Sequence, residues 1–323
     1  MKKLNFIIKY GLALLLLSFY SCESWLNVTP SDRLSEEMLF NDREGFVKAL
    51  NGVYIELNTN ELYGRNLTAG ALDVMGQYYS VASSSHAFYN YGGLVYTGND
   101  EKALFDNMWQ KCYAVIACCN TIIEKCDENK AGLSPVWKGS IKGEALALRA
   151  MLHFDMLRLF GPLTSELDKE SIPYQTNSDQ TVTPLLSGSE VIGLILDDLK
   201  NAVGLLKDTD PYFVEEEFSD TDLNYRRFRM NYFAAKGLMA RVQLWGGDKE
   251  KAAITAKEVI AEGQAEGAEF FPFVTNSEAT SSNPDRVFYS EVLFGTYHSS
   301  REKLHEDLFA PTLESTSILT LAG

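Results

Sequence analysis

Four cysteines, Cys112, Cys118, Cys119 and Cys126, fall within fifteen residues, a density that would suit zinc or an iron–sulfur cluster. Their spacing points to packing instead. There is no Cys-x-x-Cys pair and no nearby His, and Cys112, Cys119 and Cys126 recur every seven residues, which puts them on one stripe of a helix. At the helical rise, neighbours on that stripe stand about 10 Å apart, too far to share an ion or close a disulfide within the helix. They read as small buried apolar side chains, and neither a metal site nor a cofactor is predicted.

Other constellations fall short of chemistry. Asp220-x-Asp222-x-Asn224 has the spacing that opens a calcium loop, but Tyr225 stands where the turning Gly belongs and Asn231 where the bidentate Glu belongs. A solvated acidic loop over residues 208–224 is the expectation. His153 and Asp155 point to different faces of one helix with no nucleophile beside them. His-Glu-x-x-His, Gly-x-Ser-x-Gly and a Gly-rich phosphate loop are all missing from the sequence. Arg149 and Arg241 each interrupt an apolar helix, and a buried Arg must find carboxylate or carbonyl partners, so both are expected to pin helix to helix.

The positioning elements are helical. Leu104, Met108, Cys112, Val115, Cys119, Ile122 and Cys126 step by 4, 4, 3, 4, 3 and 4, a helix of about seven turns with Asn99 or Asp100 as its cap. Its second face is nearly as apolar, so neighbours must cover both sides. Phe46 to Leu57, Ile141 to Leu159 (stopped by Gly161-Pro162) and Val191 to Leu206 (capped by Ser187 or Ser189) read the same way. A last pair runs from about Met230 to Trp245 and from Lys249 to Glu262. Its small residues, Ala235, Gly237 and Ala240 against Ala252, Ala253 and Ala256 with Ile260, suit a close tetratricopeptide-like hairpin. The expected class is therefore all-α, with tetratricopeptide-like helical hairpins (an α/α superhelix) and long irregular loops. Between the first two long helices, residues 59–100 carry Tyr63, Tyr78, Tyr79, Phe88, Tyr89, Tyr91 and Tyr96 among Gly, Ser and Asn, without helical period.

Of the 323 residues, 46% are apolar and 12% aromatic, enough for a sizeable core, and the net charge is −15. That balance, with no basic stripe, excludes a nucleic-acid partner. Lys2, Lys3 and Lys9 precede an apolar run from Tyr10 to Tyr20, too short for a membrane span and suited to an export signal over residues 1–21. The run stops at Ser21-Cys22, which resembles a lipoprotein cleavage box with Cys22 as the lipid-bearing residue. Processing there removes three lysines and takes the formal side-chain charge to −18, so acyl chains would be the membrane attachment.

Taken in order, several segments resemble the SusD/RagB family of surface lipoproteins from gut and oral Bacteroidetes. They are Cys22-Glu23-Ser24-Trp25-Leu26-Asn27-Val28-Thr29-Pro30, Ala49-Leu50-Asn51-Gly52-Val53-Tyr54, Trp109 and Tyr113 with Cys119-Asn120 and Ile123, Gly143-Glu144-Ala145 through Leu148-Arg149-Ala150 to Phe160-Gly161-Pro162, Asp197-Asp198-Leu199, and Ala240-Arg241 with Gly247-Asp248. The resemblance implies a SusD-like helical domain over residues 22–265, with 266–323 as the start of a C-terminal region that is longer in the family. It implies a lipid-anchored protein on the outer face of the outer membrane, over a SusC-like TonB-dependent transporter. Such a protein captures an oligosaccharide, or in some relatives a peptide, and performs no reaction; a secreted hydrolase is the reading from another class. Sugar rings stack their C–H faces on aromatic rings while Asn and Asp bond the hydroxyls. Because the Tyr-rich tract falls where the family carries some glycan contacts, the candidate ligand residues are Tyr78, Tyr79, Tyr89, Asn90 and Tyr91, then Asp73 and Tyr96. The alternative is that these tyrosines pack a long loop onto the helices.

Overall fold

The computed structural model describes residues 36–179, 181–265 and 268–322. The expected export signal, residues 1–21, and Cys22 lie outside the described residues. Two units are distinguished. The first ends at Leu39 and contributes the short helix Glu36–Leu39; the second begins at Phe40 and holds every element that follows.

The apolar periods fold as six long helices in this second unit. Helix α1 (Arg43–Leu57) starts where Asp42 accepts the Gly45 N–H at 2.8 Å, and it buries Phe46, Leu50, Val53 and Leu57. Helix α2 (Asn99–Glu128) buries the Met108, Cys112, Val115, Cys119, Ile122 and Cys126 seam together with Ile116 and Ile123. Its cap is Gly98 rather than Asn99 or Asp100. All four described thiols are free, with Cys118 exposed off the seam, and burial pushes the Cys126 thiol up to about 12. Helix α3 (Pro135–Phe160) is capped by Ser134 and stopped at Gly161. It is buried nearly all round, as a helix sandwiched between neighbours must be.

Helix α4 (Gly188–Thr209) opens with a capping box in which Ser187 and Glu190 satisfy each other's backbone N–H groups. Helices α5 (Tyr232–Trp245) and α6 (Lys249–Gly263) are joined through Gly246-Gly247, where φ of +88° at Gly247 suits a residue without Cβ. The buried stripe of α6 is Ala252, Thr255, Val259 and Gly263. Ala253 is exposed and Ile260 half-exposed, because they sit about 100° around the helix from that stripe.

Packing centres on α3, which touches α1, α2 and α4, while α5 lies between α4 and α6. A Cβ at Gly139 would stand 2.6 Å from Thr209 Cγ2, and one at Gly143 2.7 Å from Leu206 Cγ, so α3 and α4 meet closely through these glycines. The fold is all-α, built of tetratricopeptide-like hairpins with long irregular connections. No helix among the described residues is long and apolar enough to cross a membrane.

Short strands only staple the loops: β1 (Tyr79–Ser80), β2 (Glu170–Pro173), β3 (Leu185–Ser187), β4 (Gln264–Ala265), β5 (Ala268–Glu269) and β6 (Thr320–Leu321) pair antiparallel as β1–β6, β2–β3 and β4–β5. The Tyr-rich tract has its own small core. Helical turns Ala71–Met75 and Tyr89–Gly92 bury Ala71, Val74, Phe88 and Tyr91 against Leu308 of helix α7 (Arg301–Leu308) and against Leu319.

Candidate functional site

The stripe of α1 next to its buried face carries Asn51, Tyr54 and Ile55 and is continued by the C-cap Asn58, at i, i+3, i+4 and i+7. With Tyr225, Phe228, Arg229, Tyr297 and Ser299 these residues line an open cleft of about 360 Å³. Three chain segments far apart in sequence therefore build one surface.

A buried charge network holds its floor. Arg226 is fully buried, its Nε and Nη2 donating to Asp210 Oδ1 and Oδ2 at 3.0 and 2.7 Å, and its Nη1 donating to Glu144. Asp210 also accepts the backbone N–H of Tyr232, the first residue of α5, at 2.9 Å. The other Glu144 oxygen accepts from the Tyr54 hydroxyl at 2.8 Å and from Arg229 Nε at 3.1 Å. Burial alone would push the Glu144 carboxyl up, but Arg226 and Arg229 outweigh it and hold it below the usual carboxylate range. Burial raises the Tyr54 phenol well above its ordinary value, and the Glu144 charge adds to that. With Arg226 tied from below, the residues around it, Tyr225, Phe228 and Arg229, are presented to the cleft.

Aromatic faces dominate the walls. Phe228 packs on Tyr225 at 6.3 Å and edge-on against Tyr297 at 5.6 Å, and Arg229 lies 4.8 Å over the Tyr54 ring. Tyr225 and Tyr297 are 58% and 63% exposed, so both keep ring surface for a ligand. Between them Arg229 Nη1 donates to Asn51 Oδ1 at 2.6 Å, leaving the Asn51 amide nitrogen to donate, while Asn58 Nδ2 donates to Tyr54 O at 2.8 Å and its Oδ1 is buried without a partner. The wall that carries Tyr297 is strapped down at three points. Gly295 N–H donates to Arg227 O at 3.0 Å, Asn231 Nδ2 to Leu293 O at 2.7 Å, and His298 Nε2 to Gly64 O at 2.7 Å.

The sequence-predicted residues lie elsewhere. Tyr91 is 2% exposed inside the small core, with Tyr79 and Tyr96 packed partly against it. Tyr78 and Tyr89 are exposed on that core, and Asn90 Nδ2 donates to Glu101 at 2.8 Å. Asp73 is half-buried, and burial raises its carboxyl above the ordinary value. None of these seven lines the cleft.

Arg149 is buried between helices: its Nε and Nη2 both donate to Asp198 on α4 at 2.7 Å, and Nη1 donates to Asn120 on α2 at 2.8 Å. Arg241 corrects the expectation placed on it. It is exposed and has no ion pair among the described residues, because α5 turns that position outward beyond its packed face. The cation that sequence reasoning missed is Arg226; its place in Tyr225-Arg226-Arg227-Phe228-Arg229, straight after the acidic tract, was the available signal.

His153 is fully buried, its Nδ1 donating to Arg149 O at 2.9 Å and its Nε2 accepting the Gln175 N–H at 3.0 Å while the ring stacks on Tyr174. Burial lowers it to about 3, so it is a neutral packing group. Residues 220–224 form a helical turn instead of a loop, with Asp222 accepting from Ser219. Among the described residues no three His, Cys, Asp or Glu side chains are grouped to hold a metal ion.

Comparison with known proteins finds a match over residues 24–244 to the SusD-like family model described as starch-binding associating with outer membrane. A SusD-like protein, P2, of Formosa agariphila is 26% identical over 265 residues, covering 80% of this chain and 46% of that protein. A second from the same organism, P38, is 25% identical over 76% of this chain and 43% of its own length. The chain thus spans about half the length of these curated relatives. Among solved structures, a putative sugar binding protein of Bacteroides vulgatus matches with TM-score 0.57 and 25% identity over 70% of this chain and 48% of that one. A SusD superfamily protein of Bacteroides thetaiotaomicron matches with TM-score 0.60 and 20% identity over 87% and 60%.

Proposed function

The chain belongs to the SusD-like family, and from that premise we propose that it captures oligosaccharides at the bacterial surface without cleaving them. The supporting observation is the cleft at α1, where exposed faces of Tyr225 and Tyr297 alternate with Asn51, Asn58, Arg229 and Ser299. Stacked rings accept the apolar faces of sugars and the Asn51 amide bonds their hydroxyls, while the buried Glu144–Arg226–Asp210 network keeps the surface in place before the ligand arrives. Residues 1–21 direct export, Cys22 carries the lipid, and the sugar passes to a SusC-like TonB-dependent transporter beneath. Exposed Tyr78 and Tyr89 with Asn90 form an outer contact for a longer chain.

Calorimetric titration with a panel of neutral oligosaccharides that includes maltoheptaose tests this reading. Binding that falls at least tenfold, about 1.4 kcal/mol, in Tyr297→Ala supports it. Binding insensitive to Tyr297→Ala and Phe228→Ala would remove the cleft; binding then lost in Tyr78→Ala and Tyr89→Ala would move the site to the tyrosine tract. Substituting Cys22→Ala should release the protein from the membrane fraction.

A further inference from the structure

On the other side of the Leu293–Tyr297 wall, two contiguous hollows of about 370 and 440 Å³ share Arg158, Arg241 and Trp245. They form one groove along the last turns of α3 and α5 and the start of α6. Three cations, Arg158, Arg241 and Lys249, line it against one carboxylate, Asp155, so the groove is positive on a chain whose net charge is −15.

The carboxylate is already engaged. Asp155 accepts from the Tyr63 hydroxyl at 2.6 Å and from Arg158 Nη1 at 3.1 Å. Arg158 in turn lies 5.6 Å over the rings of both Phe154 and Trp245, which fixes its guanidinium at the groove wall. Asp248, next to Lys249 in the chain, is held by Lys251 at 2.7 Å. Arg241 and Lys249 therefore have no ion-pair partner among the described residues. Two free cations beside the partly exposed Trp245 ring call for a ligand that is both ring-shaped and anionic. An isolated anion would leave the Trp245 face unused, and a neutral sugar would leave Arg241 and Lys249 unused.

We propose that this groove is a second saccharide subsite, which binds sugars bearing carboxylate or sulfate groups through Arg241, Lys249 and Trp245. Arg241 offers a planar fork to the acid group, Lys249 a point charge, and the half-buried Trp245, braced by buried Phe154 beneath it, the ring face on which the sugar lies. The proposal rests on the glycan-binding reading above, but on different residues.

The test titrates the purified chain with tetragalacturonate, a sulfated carrageenan tetrasaccharide and maltoheptaose. The two acidic probes separate carboxylate from sulfate recognition. Expected is binding of at least one acidic probe that weakens about tenfold or more in Arg241→Gln and in Lys249→Gln, weakens as salt is raised, and is unchanged in Tyr297→Ala. Acidic-probe binding equal in the wild type and the Arg241→Gln/Lys249→Gln double variant overturns the subsite, as does binding of neither acidic probe. Maltoheptaose binding that depends on Tyr297 alongside either of those results leaves the cleft standing while the groove falls. Acidic binding through Arg241 with no neutral probe bound leaves the groove and removes the cleft. Both substitutions lie on exposed positions, and retention of the wild-type melting temperature shows that the variants fold.

Discussion

The aromatic cleft and the basic groove are made from the same ingredients, tyrosine, phenylalanine or tryptophan rings with arginine beside them, yet the ligands proposed for them differ. In the cleft the arginine charge is used up inside the protein: Arg229 is bound to Glu144 and Asn51 and stacked on Tyr54. In the groove Arg241 answers to no carboxylate among the described residues. What a surface arginine can recognise is decided by the partners behind it, and in that these two regions differ. Both rest on one face of α3, since Glu144, Met151, Asp155 and Arg158 follow at i, i+7, i+11 and i+14, with about 21 Å between the first and the last.

The largest effect should strike the frame common to both. His153 is neutral in the fold, with its pKa lowered to about 3 from a reference of 6.5. The unfolded chain therefore binds the extra proton first. Stability from this group is complete above pH 6.5 and is lost as pH falls toward 3, on the order of 5 kcal/mol in total. Urea unfolding from pH 7 to pH 4 reads the larger part of this loss, about 3 kcal/mol. His153→Asn should flatten the slope, and glycan binding at cleft and groove should fail together as the chain unfolds.

Next in size, Glu144→Gln leaves Arg226 and Arg229 short of a counter-charge and should cost about 3 kcal/mol in the same urea experiment. Because it loosens the cleft floor only, neutral-sugar affinity should drop while acidic-sugar affinity persists at a temperature where the variant is folded. Equal losses at both sites would break the contrast drawn above.

Smaller still, Tyr297→Ala should weaken neutral-sugar binding about tenfold with a stability change within about 0.5 kcal/mol. The smallest effect on the fold belongs to Arg241→Gln. It should leave stability within about 0.5 kcal/mol by urea unfolding, where a helix-pinning Arg would have cost several times more.

Arg149 and Arg241 also mark how far the sequence could be read. Both sit before x-x-Leu in apolar helices, and pattern alone treats them alike. Asp198 and Asn120 approach Arg149 from two other helices, whereas Arg241 is exposed with no ion pair among the described residues, and that difference exists only once the helices are assembled. The helices themselves were legible, because an apolar stripe at helical spacing has few other uses: the Cys112–Cys119–Cys126 seam, the Gly161 stop and the Ser187 cap all stand where periodicity and caps put them. The cleft was not. Asn51, Phe228 and Tyr297 belong to three distant segments, and no local pattern announces that they meet. Tyr91 shows the converse, since a tyrosine in a Gly- and Asn-rich tract looks the same whether its ring faces solvent or fills a small core with Leu308.

The strap from Leu293 to Ser299 is a party wall: Phe294, Gly295 and Thr296 face the groove, while Tyr297 and Ser299 face the cleft. Two ligands that lean on one wall are linked thermodynamically wherever either of them displaces it. An occupant of the groove that shifts the strap changes affinity at the cleft by some factor, and an occupant of the cleft must change affinity at the groove by the same factor. The three hydrogen bonds that anchor the strap, at Arg227, Asn231 and Gly64, resist such a displacement.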